Sequence, residues 1–126
     1  MRQVTSEIIN AAIEVHKELG PGLLERVYQK CMFIELQERG LQVEEEVDLP
    51  IVYKNRRVDD LGYRLDLLVE SQVIVELKSV QAIEPVHKKQ LLSYLRLARK
   101  DLGLLINFNV DLVKDGICRI ANSPQG

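Results

Sequence analysis

The sequence predicts an α/β domain in which helices pack on a mixed sheet, and three observations predict it. Apolar residues recur at helical spacing up to Gly40 and at period two after it. Two short apolar runs, at 63–69 and 73–78, are separated only by Glu70-Ser71-Gln72, the length of a hairpin loop. A helical stretch at 85–100 then divides the second run from a further apolar run at 103–108. That is long enough for a right-handed crossover between parallel strands.

The first helix is expected from Thr5 or Ser6 to Leu19. Ile8, Ile9, Ala12, Ile13, His16 and Leu19 form its apolar stripe, and Gly20-Pro21 stops it. The second runs from Leu23 to Arg39 and ends at Gly40. Apolar residues surround much of it, so heavy burial is expected. Leu41, Val43, Val47, Leu49, Ile51 and Tyr53 then alternate as one long strand, with a turn at Asn55-Arg56. Glu45 falls on the apolar parity, which suggests a bulge or an edge position. The hairpin follows, then the third helix, which opens with Pro85 at a tolerated first-turn position. Two final strands, at 103–108 and 116–120, complete the order α-α-β-β-β-α-β-β.

With 126 residues, 46% of them hydrophobic, the chain is expected to form a single domain over 1–126 with its own core. No apolar run approaches the roughly 18 residues of a membrane span, and no signal-peptide stretch opens the chain. Cys31 and Cys118 have neither CxxC spacing nor a disulfide framework, so a cytoplasmic setting is the default. A net charge of −2 gives no global signal of nucleic-acid binding, and any such contact must come from a local patch.

One constellation can carry chemistry. Hairpin pairing symmetric about Ser71 sets Asp66 opposite Glu76, and alternation puts Arg64, Asp66, Glu76 and Lys78 on one face. The other face then carries Tyr63, Leu65, Leu67, Val69, Val73, Val75 and Leu77, with no charge. Two facing carboxylates destabilise a strand pair unless something neutralises them, and a divalent cation does so. Mg²⁺ needs only one or two carboxylates, here Asp66 and Glu76, and the Leu77 carbonyl could add an oxygen. Such an ion polarises a phosphodiester and lowers the pKa of a bound water. Lys78 would hold that water or stabilise charge developing on the phosphate. The competing interpretation is a solvent-facing Glu/Lys strand surface.

The third helix adds Lys88, Lys89, Arg96, Arg99 and Lys100, with no acid from 85 to 100. They project within an arc of roughly 120° at helical spacing, interrupted by Leu92. His87, Leu91, Tyr94, Leu95 and Ala98 form the opposite, sheet-facing side, with Gln90 and Tyr94 one turn apart at its boundary. A basic stripe suits an anionic polymer, although a solvated face is the commoner explanation of a charge run. Glu25 follows Gly20-Pro21-Gly22 at a helix start, where a carboxylate is favourable for structural reasons alone. His16 lies on an apolar stripe, where a hydrogen-bonded core histidine is commoner than a ligand.

Gly22-Leu23-Leu24-Glu25-Arg26-Val27-Tyr28 spells G-x-x-E-x-x-Y. Together with segments around His16, Asp66, Glu76, Gln90-Tyr94 and Asn107, it makes the chain resemble the GxxExxY family. That family consists of small prokaryotic proteins placed in the PD-(D/E)XK nuclease-like superfamily. The resemblance covers nearly the whole chain. It implies a restriction-endonuclease-like αβββαβ core with an extra N-terminal helix, and metal-dependent hydrolysis of DNA using Mg²⁺ or Mn²⁺. It implies metal-binding roles for Asp66, Glu76 and Glu25, a catalytic role for Lys78, and a Q-x-x-x-Y pattern at Gln90 and Tyr94. Lys88, Lys89 and Arg96 would contact the nucleic acid. Leu65 stands where many members have Pro, at a position that holds no ligand. The alternatives are RNA as substrate and a catalytically silent or partner-dependent nucleic-acid-binding module, the latter suggested by small size and acidic balance. A homo-oligomer is compatible with either.

Overall fold

The computed structural model describes residues 2–58 and 62–123. Helix α1 (Arg2–Leu19) and helix α2 (Glu25–Glu38) come first, then strand β1 (Val43–Leu49). A small ribbon, β2 (Val52–Tyr53) and β3 (Arg56–Arg57), precedes the hairpin β4 (Tyr63–Val69) and β5 (Val73–Lys78). Helix α3 (Pro85–Ala98), β6 (Leu102–Asn107), a 3-10 turn at Val113–Gly116 and β7 (Ile117–Ala121) complete the order. The main sheet runs β1-β4-β5-β6-β7, with β5 and β6 parallel and the other neighbours antiparallel. The α3 crossover therefore joins parallel strands, and α2, β1, β4, β5, α3 and β6 follow the expected restriction-endonuclease-like order.

The sheet is buried on both faces. On one, Leu67, Val69, Val73, Val75, Leu77 and Leu104 pack with Ile8, Ala12, Tyr28, Met32 and Leu36 of α1 and α2. On the other, Leu65, Leu68, Ile74 and Leu105 pack with Leu91, Tyr94 and Leu95 of α3. This corrects the simple parity of the hairpin. Leu65 and Leu67 share a parity yet enter opposite clusters, and Tyr63, half exposed, tilts against Tyr94 on the α3 side. The reversal falls at Asp66.

Other local expectations are also revised. α2 buries Tyr28, Met32 and Leu36, whereas Ile34 is 48% exposed, so the helix is amphipathic and not surrounded. The long strand expected at 41–53 stops at Leu49, before Pro50, and the remainder becomes the separate ribbon. Its turn sits on Lys54 and Asn55, both at positive φ (49° and 66°), one residue earlier than expected. Of the two positions expected for Glu45 the edge is the one observed: β1 is an edge strand, Lys30 reaches Glu45 at 2.8 Å, and the register shows no inserted residue there. α3 ends at Ala98 because Arg99 turns left-handed (φ 58°), so Arg99 and Lys100 leave the helical stripe. His87 does not face the sheet. Its Nδ1 accepts the Glu84 N–H at 2.9 Å and caps the helix.

Candidate active site

The carboxylate pair arises where the hairpin ladder ends. β4 and β5 pair through Leu67↔Val75, and the next opposed residues are Asp66 and Glu76. There the backbone pairing gives way to side-chain bonds. The Asp66 N–H donates to Glu76 Oε2 at 2.9 Å, and the Leu77 N–H donates to Asp66 Oδ2 at 2.8 Å. The ladder to β1 also skips Asp66, opposite Glu46, whose φ is +56°. Each carboxylate therefore holds the opposing strand through one oxygen. Among the described residues no fully buried side-chain oxygen lacks a partner, so the second oxygen of each is not sealed away from solvent.

Electrostatics mark the pair as strained. Glu76 is 8% exposed, and burial followed by the neighbouring Asp66 charge pushes its carboxyl up to about 8. Burial likewise raises Asp66, opposed by the Leu77 N–H and by Lys78. Lys78 lowers both, and Glu25 raises both, so the two carboxylates, the ammonium and the helix-start glutamate share one field. The donor set fits a divalent cation: a buried Glu76 and a partly buried Asp66, reluctant to ionise together, each with an oxygen unspent. Glu25 does not stand with them as a third ligand here. Its Oε2 accepts the Ser79 N–H at 3.4 Å, and among the described residues no set of three His, Cys, Asp or Glu side chains forms a ready cage.

The G-x-x-E-x-x-Y segment has a structural logic of its own. Gly22 sits at φ +95°, where a side chain would be strained, and lets the chain turn into α2, whose first residue is Glu25. One turn on, the Tyr28 hydroxyl donates to the Gly20 carbonyl at 2.5 Å and accepts the Leu23 N–H at 3.1 Å. Its ring stacks on Phe108 at 4.4 Å. Tyr28 thus fixes the loop that delivers Glu25 to the end of β5.

From the other face, α3 brings Tyr94, 7% exposed, whose hydroxyl is held up at about 12 by burial and then by Glu76. Gln90, one turn earlier, is exposed, as are Lys88, Lys89 and Arg96. His16 is not brought to the pair. It is buried on α1, where its Nε2 bonds the Val110 carbonyl at 2.9 Å. Sequence reasoning missed Asn107. This residue is 2% exposed at the end of β6, in register with Lys78. Its Oδ1 accepts the Val80 and Asn109 N–H groups, and its Nδ2 donates to the Val80 carbonyl. With the Phe108 N–H on the Lys78 carbonyl, it holds the strand end that carries Lys78. The signals that could have found it are its position after an apolar run and its place in a segment shared with the family it resembles.

Among known families, the model of the PD-(D/E)XK nuclease superfamily matches residues 2–120. The chain belongs to that superfamily. Neither a curated protein nor a solved structure matches it. For a PD-(D/E)XK protein, nucleic acid is the class of substrate and a divalent metal the usual cofactor. No helix among the described residues is long and apolar enough to cross a membrane.

Proposed function

We propose that this protein is a Mg²⁺- or Mn²⁺-dependent deoxyribonuclease of the GxxExxY type, built as a single domain over 1–126. The observation that carries this reading is the opposed Asp66–Glu76 pair, partly to fully removed from solvent, whose joint ionisation a cation would favour. Asp66 and Glu76 would hold the metal, with Glu25 joining once released from Ser79. The bound ion supplies Lewis acidity and a water of lowered pKa. Lys78, beside the carboxylates, would orient that water or meet charge building on the phosphate. Gln90 and the protonated Tyr94 hydroxyl offer hydrogen bonds to the strand being cut, and Lys88, Lys89 and Arg96 bind its flanking phosphates.

A second reading, a nucleic-acid-binding module without hydrolysis, is supported by the carboxylate oxygens already spent on backbone N–H groups. One assay separates the two. Purified protein is incubated with single- and double-stranded DNA and with RNA, with Mg²⁺, Mn²⁺ or EDTA. The nuclease reading expects metal-dependent cleavage, strongest on DNA, and a loss of about 100-fold or more in Glu76→Ala. Cleavage that survives both EDTA and Glu76→Ala would sink the proposed site. Binding without cleavage under every metal would favour the second reading.

A further inference from the structure

The β2–β3 ribbon stands apart from the main sheet and has no role in the site described above. It leaves the sheet at the end of β1 and returns at the start of β4. Because β4 runs antiparallel to β5, that end of the sheet also carries Asp66, Glu76 and Lys78. The ribbon is therefore rooted at the same end of the sheet as the carboxylate pair, three residues along β4 from Asp66. The Val58 N–H closes its base on the Ile51 carbonyl at 2.8 Å. Lys54 and Asn55, both left-handed, make the tight tip.

Its surface chemistry differs from that of the chain as a whole. The protein carries a net charge of −2, yet the ribbon itself, 52–57, holds Lys54, Arg56 and Arg57 and no acid, the nearest in sequence being Asp48, Asp59 and Asp60. All the ribbon residues are exposed, including Val52 (57%) and Tyr53 (65%), which no core claims. The Lys54 ammonium lies 5.4 Å from the Tyr53 ring centroid, so charge and aromatic surface share the tip. A short two-stranded ribbon with cations and no acid matches a polyanion with a groove. The major groove of B-form DNA, about 12 Å wide, admits a β-ribbon. The major groove of A-form RNA is too narrow for side chains to read.

We propose that the β2–β3 ribbon is a duplex-DNA grip, entering the groove beside the strand held at Asp66 and Glu76 and setting Lys54 and Arg56 against phosphates. The inference rests on the nuclease reading and deepens it, by making double-stranded DNA the substrate class.

The test is a binding titration, read by fluorescence anisotropy, on full-length Glu76→Gln protein with Mg²⁺, a background in which the DNA is not cut. Duplex and single-stranded oligonucleotides of one sequence are compared with and without Lys54→Glu/Arg56→Glu. The ribbon substitutions are expected to weaken duplex binding about tenfold or more near 0.1 M salt. They should also make the salt dependence shallower by about two phosphate contacts, with single-strand binding changed less than about threefold. Unchanged duplex binding, an equal loss on both substrates, or no duplex binding by the parent overturns the proposal. Should the charge-reversed variant fail to fold by thermal melting, Lys54→Gln/Arg56→Gln carries the same test with about half the effect. Cleavage is scored separately with Glu76 restored. A protein that grips duplex through the ribbon but never cuts keeps the ribbon and loses the nuclease. One that cuts while the ribbon substitutions leave duplex binding intact keeps the nuclease and loses the ribbon.

Discussion

Glu76 is buried as an acid in a place where its own charge is unwelcome, and that makes pH a probe of the site. Its folded carboxyl titrates at about 8 against an ordinary value of 4.5, so the folded state binds more protons than the unfolded chain between those limits. The stabilisation from this group is complete below the unfolded value and is lost as pH rises through the folded one. Thermal melts of metal-free protein are therefore expected to show stability falling from about pH 5 to pH 9. Glu76→Gln should flatten that fall, and Mg²⁺ should raise the melting temperature most at its alkaline end. An equal Mg²⁺ effect at both ends would argue against this site. Asn107 makes a different kind of claim. Asn107→Ala removes the acceptor of the Val80 N–H and one of the two side-chain amides that donate to the Val80 carbonyl. The expected cost is about 2–4 kcal/mol in denaturant unfolding, with faster hydrogen exchange at Val80 and Asn109.

At the level of elements, the loop before α2 and the hairpin meet to make the site, and the loop depends on Tyr28. Tyr28→Phe keeps the stack on Phe108 but deletes the hydroxyl that joins the Gly20 carbonyl to the Leu23 N–H. It should cost about 1–3 kcal/mol of stability. Cleavage should fall with little change in duplex affinity, since Glu25 loses its placement while the basic surfaces stay. The elements also show what a sequence can and cannot reveal. The β4–β5 hairpin was legible because a three-residue polar gap separates two apolar runs, which fixes the register that opposes Asp66 and Glu76. Period two could not show that the ladder opens at Asp66, because the face reversal between Leu65 and Leu67 leaves the alternation intact. The ribbon was hidden for a related reason. Ile51 and Tyr53 continue the parity of β1, and only Pro50 marks the break. The role of Asn107 was out of reach because its partner Val80 lies on the far side of α3 in the chain.

For the whole molecule, charge is arranged by region. An acidic chain presents Lys88, Lys89 and Arg96 on the exposed side of α3 and Lys54 and Arg56 on the ribbon. DNA affinity should therefore depend steeply on salt despite the net charge of −2. Neutralising Lys88, Lys89 and Arg96 together should reduce the slope of log affinity against log salt by up to about three. An unchanged slope would leave α3 as a merely solvated face. The central claim, that the opposed carboxylates are a metal site, is tested most directly by crystals soaked in Mn²⁺ and measured for anomalous scattering. A peak is expected between Asp66 and Glu76, absent in Glu76→Ala. A peak elsewhere, or none in wild-type crystals grown near pH 8, would contradict it.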